Sequence, residues 1–190
     1  MQPEFDPRQP DKKFRASAVD NTSGAPQRQE YAARMGGPLR VITAFIASYA
    51  AGYFGYLFIN PATLTWYEHL AKPAFAPTQS FYTVVWLIIY GAMATALAII
   101  WTKDPRAPHT EGWVRFFFVQ LLFNACFLMF FFGMHAVIIS FITLLFLGFM
   151  VLSLAASAGE IDRRSVYLMI AYFLWILYNV YLTAGIWLLN

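Results

Sequence analysis

Gln120 and Asn124 stand four residues apart in an otherwise apolar run, so on a helix they share one face. An amide in hydrocarbon is costly unless it finds a partner, so both must face other protein or a bound molecule. Two roles stay open for them: bonding helix to helix, or lining a pocket. Asn179 is a third such amide, four residues from both Trp175 and Thr183 and therefore on one face with them. It is expected to bond across to a neighbouring helix, with Gln120 or Asn124 as its partner. Other reactive groups are few. Cys126 is the single cysteine, which excludes an internal disulfide, and it reads as a small apolar core residue. His69, His109 and His135 have no second metal ligand at useful spacing. No Ser-His-Asp set, phosphate loop or paired carboxylate suggests hydrolysis or group transfer, and no nucleic-acid partner is expected.

The elements that must position these residues are membrane helices. Of 190 residues, 59% are hydrophobic, 19% aromatic and 12% charged, which is too apolar for a soluble domain and makes the lipid bilayer the first partner. Five runs approach the roughly 20 residues needed to cross a bilayer, at about 39–59, 81–102, 113–133, 135–157 and 166–188. The expected fold is an all-α integral membrane bundle of five transmembrane helices over residues 39–190. Residues 1–38 are rich in Pro, Gln, Arg, Lys and Asp without apolar periodicity, and are expected to be a disordered or partner-bound cytoplasmic tail. Twelve of the thirteen Lys and Arg residues fall on the side of the N-terminus and Lys72 alone on the other. That asymmetry places the N-terminus in the cytoplasm. On the first span, Ala44, Ser48 and Gly52 form one small-residue row and Ala47, Ala51 and Gly55 another. Such rows let backbones approach closely, within the bundle in preference to across a homodimer.

The stretch Trp66–Tyr90, WYEHLAKPAFAPTQSFYTVVWLIIY, carries a recognisable pattern. Lys72-Pro73 and Pro77 punctuate it, so Ala71–Thr78 is expected to be an ordered loop. Trp66, Tyr67, Leu70, Lys72, Pro73, Pro77, Val85, Trp86 and Tyr90 fall without a gap on the pattern W-Y-x-x-L-x-K-P-x-x-x-P-P-x-W-x-F-x-x-V-W-x-x-L-Y. Gln120, Asn124, Phe131 and Phe132 match a second pattern, and Tyr172, Trp175, Leu182, Ile186, Trp187, Leu189 and Asn190 a third. In all three the chain resembles the TspO/MBR family, the translocator or tryptophan-rich sensory proteins, over roughly residues 41–190. It departs at Thr78 (Pro in the family), Ser80 (Trp), Tyr82 (Phe), Phe127 (Trp), Ala171 (Pro), Asn179 (Ala) and Thr183 (Asn).

The resemblance implies a bacterial inner-membrane protein that binds a tetrapyrrole (porphyrin or haem) or similar hydrophobic ligand as carrier, sensor or regulator, with no obligatory cofactor. A tetrapyrrole is a flat aromatic plate with two propionates, so it needs aromatic faces, hydrogen-bond donors and a cation. Trp66, Trp86, Tyr90, Asn124, Trp175 and Tyr178 are the expected slot, Lys72 the cation, and Gln120, Phe127 and Asn179 further lining. His69 could give a metalloporphyrin an axial contact. The same aromatic residues also suit interfacial anchoring. Some relatives degrade porphyrin in light, but Ser80 and Phe127 replace two pocket Trps here, and the chain is not expected to be an enzyme. Tyr181 is followed by no Lys or Arg, so sterol recognition is not expected either. The competing expectation is an accessory subunit of a larger membrane complex, such as a photosynthetic one, held through the tail.

Overall fold

In a bilayer each backbone N–H must be satisfied within the protein, which restricts spanning segments of this length to helices. The protein, seen in a computed structural model that describes residues 36–190, is helical without strands among those residues. The tail expected over 1–38 therefore lies, except for its last three residues, outside the described residues. Helix α1 is Gly36–Tyr56 and α2 is Pro61–His69. They are followed by α3 (Gln79–Lys103), α4 (Pro108–Leu128), α5 (Val137–Ala158) and α6 (Arg163–Leu189). Helices α3 to α6, with α4 extended to Gly133, are each long and apolar enough to cross a membrane. The bent pair α1–α2 makes a fifth span when counted as one.

The first helix falls close to its expected span of about 39–59, but the chain then bends sharply. Helix α1 stops at Tyr56, and α2 leaves at 71° to α1. Asn60-Pro61 is the cause. Asn60 is extended (φ −129°, ψ 170°), as the residue before a proline prefers. Its Oδ1 accepts from the N–H groups of Ala62 (3.0 Å) and Thr63 (3.1 Å), and Thr63 Oγ1 accepts from Asn60 N–H at 2.9 Å. That reciprocal cap, with Pro61 in the first turn, begins a new helix.

Residues 71–78 form the expected non-helical loop, and α6 holds it down. The Tyr178 hydroxyl donates to Phe75 O (2.7 Å) and the Tyr181 hydroxyl to Ala74 O (2.9 Å). Asn190 bonds both the N–H and the carbonyl of Ala71, each at 3.0 Å. Gly185 lets the loop approach: a Cβ there would lie 2.6 Å from Pro73.

Helix α4 ends in a π-helical turn, Met129–Gly133. The wider turn lets consecutive Phe131 and Phe132 both be buried, where a regular helix turns neighbours about 100° apart. Helices α3, α4, α5 and α6 close into a ring in which α3 and α5 each pack on both α4 and α6. At the end carrying Lys103, Asp162 caps α6 by accepting from Arg164 N–H at 2.9 Å and pairs with Lys103 at 3.1 Å. The Arg164 amide first, then the Lys103 ammonium, hold the Asp162 carboxyl below the usual carboxylate range.

Helix α1 lies against this ring through its small residues. Ala44 and Ser48 are fully buried, and Gly55 is buried against Leu128. Gly52 meets the Tyr90 ring, where an added Cβ would come within 2.4 Å of a ring carbon. Packing within the bundle thus accounts for the small rows. Gly52→Ala is expected to lower stability in detergent by about 1–3 kcal/mol through overpacking against Tyr90. Gly112→Ala is the control, because nothing lies within 4 Å of the added methyl. Thermal unfolding of both variants checks the contact: equal melting temperatures would remove it.

Candidate functional site

The buried polar chemistry begins at Tyr90. Its hydroxyl donates to Asn124 Oδ1 at 2.6 Å, and Asn124 Nδ2 donates to the Tyr172 hydroxyl at 2.9 Å. Tyr172 in turn donates to Gln120 Oε1 at 3.2 Å. One directed chain of hydrogen bonds therefore joins α3, α4 and α6, with all four side chains buried. Of the two roles open to the amide pair, the structure shows the helix-to-helix one. Gln120 and Asn124 line neither of the cavities described below.

Asn179 does bond across to another helix, but not to the expected one. Its Oδ1 accepts from the Tyr82 hydroxyl on α3, and its Nδ2 donates to Trp175 O at 2.6 Å. Height along the helix explains the difference. Asn179 is seven residues beyond Tyr172, roughly 10 Å along α6. Gln120 and Asn124 are level with Tyr172, whereas α3 runs antiparallel to α6 and brings Tyr82 to the height of Asn179.

Around these bonds the aromatic rings of α3 and α6 form a continuous wall. Trp86 stacks on Tyr90 with centroids 5.4 Å apart and planes at 29°. Trp175 lies 5.5 Å from Tyr82, 6.1 Å from Trp86 and 5.1 Å from Tyr178. Of the expected slot, Trp86, Tyr90, Trp175 and Tyr178 are thus brought together, with Asn124 bonded to Tyr90. Trp66 is not: it sits on α2, stacked on His135 at 4.0 Å and edge-on to Phe131 at 5.6 Å. Lys72, the expected cation, is also elsewhere. Its ammonium donates to the carbonyls of Glu68 (3.1 Å) and Leu70 (3.2 Å) and lies 4.7 Å from the Tyr67 ring centre. It closes the C-terminal end of α2, whose free carbonyls attract a cation. His69 is exposed with Nδ1 2.7 Å from Thr65 O, and Ser80, which stands where the family has a pocket Trp, is exposed too; neither lines a cavity.

Two cavities adjoin the wall. The inner one is small, about 80 Å³, and is lined among others by Tyr67, Phe127, Phe131, Asn179 and Thr183. The outer one, about 480 Å³, lies between α1 and α3, with Leu128 of α4 also lining it. Trp86 and Tyr90 form one side of it, and Tyr49, Tyr53 and Tyr56 the other. Tyr56, Ile59, Tyr82 and Thr83 border both. Tyr82, tied by Asn179, therefore stands between a nearly filled interior and a roomy flank. The outer cavity opens on the lipid-facing surface, since Tyr53, Tyr56 and Leu87 are all more than half exposed. Sequence reasoning missed the α1 tyrosines and Tyr82 as lining. The spacing 49, 53, 56 places the three on one helix face, a signal that was there to be used.

The comparisons with known proteins agree with this architecture. The family model described as "TspO/MBR family" matches residues 44–188, most of the chain. Three proteins named "Tryptophan-rich protein TspO" are similar. That of Bacillus cereus is 27% identical over 78% of this chain and 95% of its own length. That of Archaeoglobus fulgidus is 27% identical over 80% and 97%, and that of Chlorobaculum tepidum 28% over 74% and 89%. With the matched patterns, the helical bundle and this coverage together, the chain belongs to the TspO/MBR family of integral membrane proteins.

Proposed function

We propose that this protein binds a hydrophobic ligand, a tetrapyrrole or a molecule of similar shape, between α1 and α3, and acts as a membrane carrier, sensor or regulator rather than as an enzyme. The cavity of about 480 Å³ carries the reading. It falls within the roughly 300–1,000 Å³ typical of small-molecule sites and has aromatic faces on both sides. In this reading Trp86 and Tyr90 touch the ligand. Tyr82, Trp175 and Tyr178 back them, and Phe127 and Asn179 bound the inner extension. Gln120 and Asn124 hold the helices that carry the wall, while Trp66 and Lys72 fix α2 beside it.

Asn179 restrains Tyr82 and so limits how deeply a flat ligand reaches. Titrations of neutral and acidic porphyrins, read by quenching of tryptophan fluorescence, test the assignment. For whichever porphyrin binds, Trp86→Ala is expected to weaken affinity by about 0.5–1.5 kcal/mol through loss of an aromatic platform. Asn179→Ala is expected to strengthen it by releasing Tyr82. Equal affinities for wild type and both variants would place the ligand elsewhere. No binding of any porphyrin by wild type would favour an accessory-subunit role.

The second element of the proposal is orientation. Arg40, Lys103, Arg106, Arg115, Arg163 and Arg164 belong to the end of the bundle where α1, α4 and α6 begin, and Lys72 to the other. The bias of Lys and Arg to the cytoplasmic side supports an N-terminal side in the cytoplasm of a bacterial inner membrane, with Asn190 outside. A C-terminal fusion to a reporter active only in the periplasm should be active. Activity of a cytoplasm-only reporter at that position would reverse the orientation.

A further inference from the structure

The polar inventory of the outer cavity narrows the ligand class, and this step rests on the reading of that cavity as the binding site. No charged residue lines either cavity among the described residues. Lys72, the cation of the matched family pattern, lines neither cavity and is held on the α2 carbonyls and the Tyr67 ring. Most hydroxyls of the outer cavity are also engaged by protein. Tyr49 donates to Leu87 O at 3.1 Å, Tyr82 to Asn179, Thr83 to Gln79 O at 3.0 Å, and Tyr90 to Asn124. The Trp86 indole N–H is buried without a hydrogen-bond partner and is not accessible to solvent. That leaves the phenols of Tyr53 and Tyr56, which make no side-chain hydrogen bond among the described residues.

A carboxylate entering this site would leave water and meet no cation, a cost that protonation or exclusion must relieve. A neutral ligand carries no such penalty, and its ester or ketone oxygens can accept from the two free phenols. The gap between α1 and α3 faces lipid, so an apolar chain attached to the ligand can remain in the bilayer while the ring system lies against Trp86 and Tyr90. We infer that the α1–α3 cavity selects uncharged, carbonyl-bearing planar lipids, and that a tetrapyrrole bound there is one whose propionates are esterified.

The test uses the full chain in nanodiscs of uncharged lipid, with protoporphyrin IX and protoporphyrin IX dimethyl ester as probes. The ester is expected to bind at least tenfold more tightly than the free acid at pH 7.5. Thr83→Trp, which places a ring at the shared border of the two cavities, should abolish the ester signal. Thr83→Lys, which supplies the missing cation on an exposed position, should bring the acid to within a few-fold of the ester. Equal or tighter binding of the acid by wild type overturns the selection while leaving the cavity as the site. An ester signal that persists in Thr83→Trp reports partitioning into the bilayer and overturns it as well. Absence of binding by both probes removes the ligand-binding reading itself.

Discussion

A chain of hydrogen bonds from Tyr90 through Asn124 and Tyr172 to Gln120 fixes how α3, α4 and α6 meet. Between helices in lipid, apolar surface supplies no solvent-driven preference for one partner or one height over another. Directed polar bonds do supply it, because each broken link leaves a buried hydroxyl or amide without a partner. Once Tyr90 is held by Asn124, its ring stacks on Trp86 and presents a fixed edge to Gly52. The position of α1, and hence the width of the outer cavity, follows from that edge.

The same bonds give the cavity its chemical character. Tyr49, Tyr82 and Tyr90 direct their hydroxyls to protein acceptors and leave ring faces towards the space between α1 and α3. An uncharged, aromatic wall results from satisfying buried polar groups, with no separate provision for a ligand. Asn179 extends this logic one level outward by tying Tyr82 to α6, so the inner cavity stays small while the flank remains open. The loop strapped by Tyr178, Tyr181 and Asn190 closes the end of the bundle above.

Much of the fold was legible in the sequence because the bilayer imposes length and composition on each span. Four of the five spans begin and end within a few residues of their expected limits; α4 begins five residues early, at Pro108. The small rows on α1 and the shared face of Gln120 and Asn124 also followed from helical period alone. The period fixes faces but not heights, and the expected partner of Asn179 was missed for that reason. Asn179 shares a direction with the amide pair, yet sits too far along α6 to reach it. Lys72 was assigned to a ligand by resemblance, while the free carbonyls at the end of α2 claim it locally. The bend at Asn60-Pro61 had its own signal, a proline preceded by a capping residue and followed by Thr63, just past the end of an apolar run of plausible spanning length.

The central claim is that Tyr90 and Asn124 act as a coupled pair on which the α3–α4 contact depends. A double-mutant cycle on unfolding free energy with Tyr90→Phe and Asn124→Leu measures that coupling directly. The account predicts an interaction energy of about 0.5–1.5 kcal/mol, within the range found for interhelical hydrogen bonds in membranes and for residues in contact. Strict additivity of the two substitutions would contradict it.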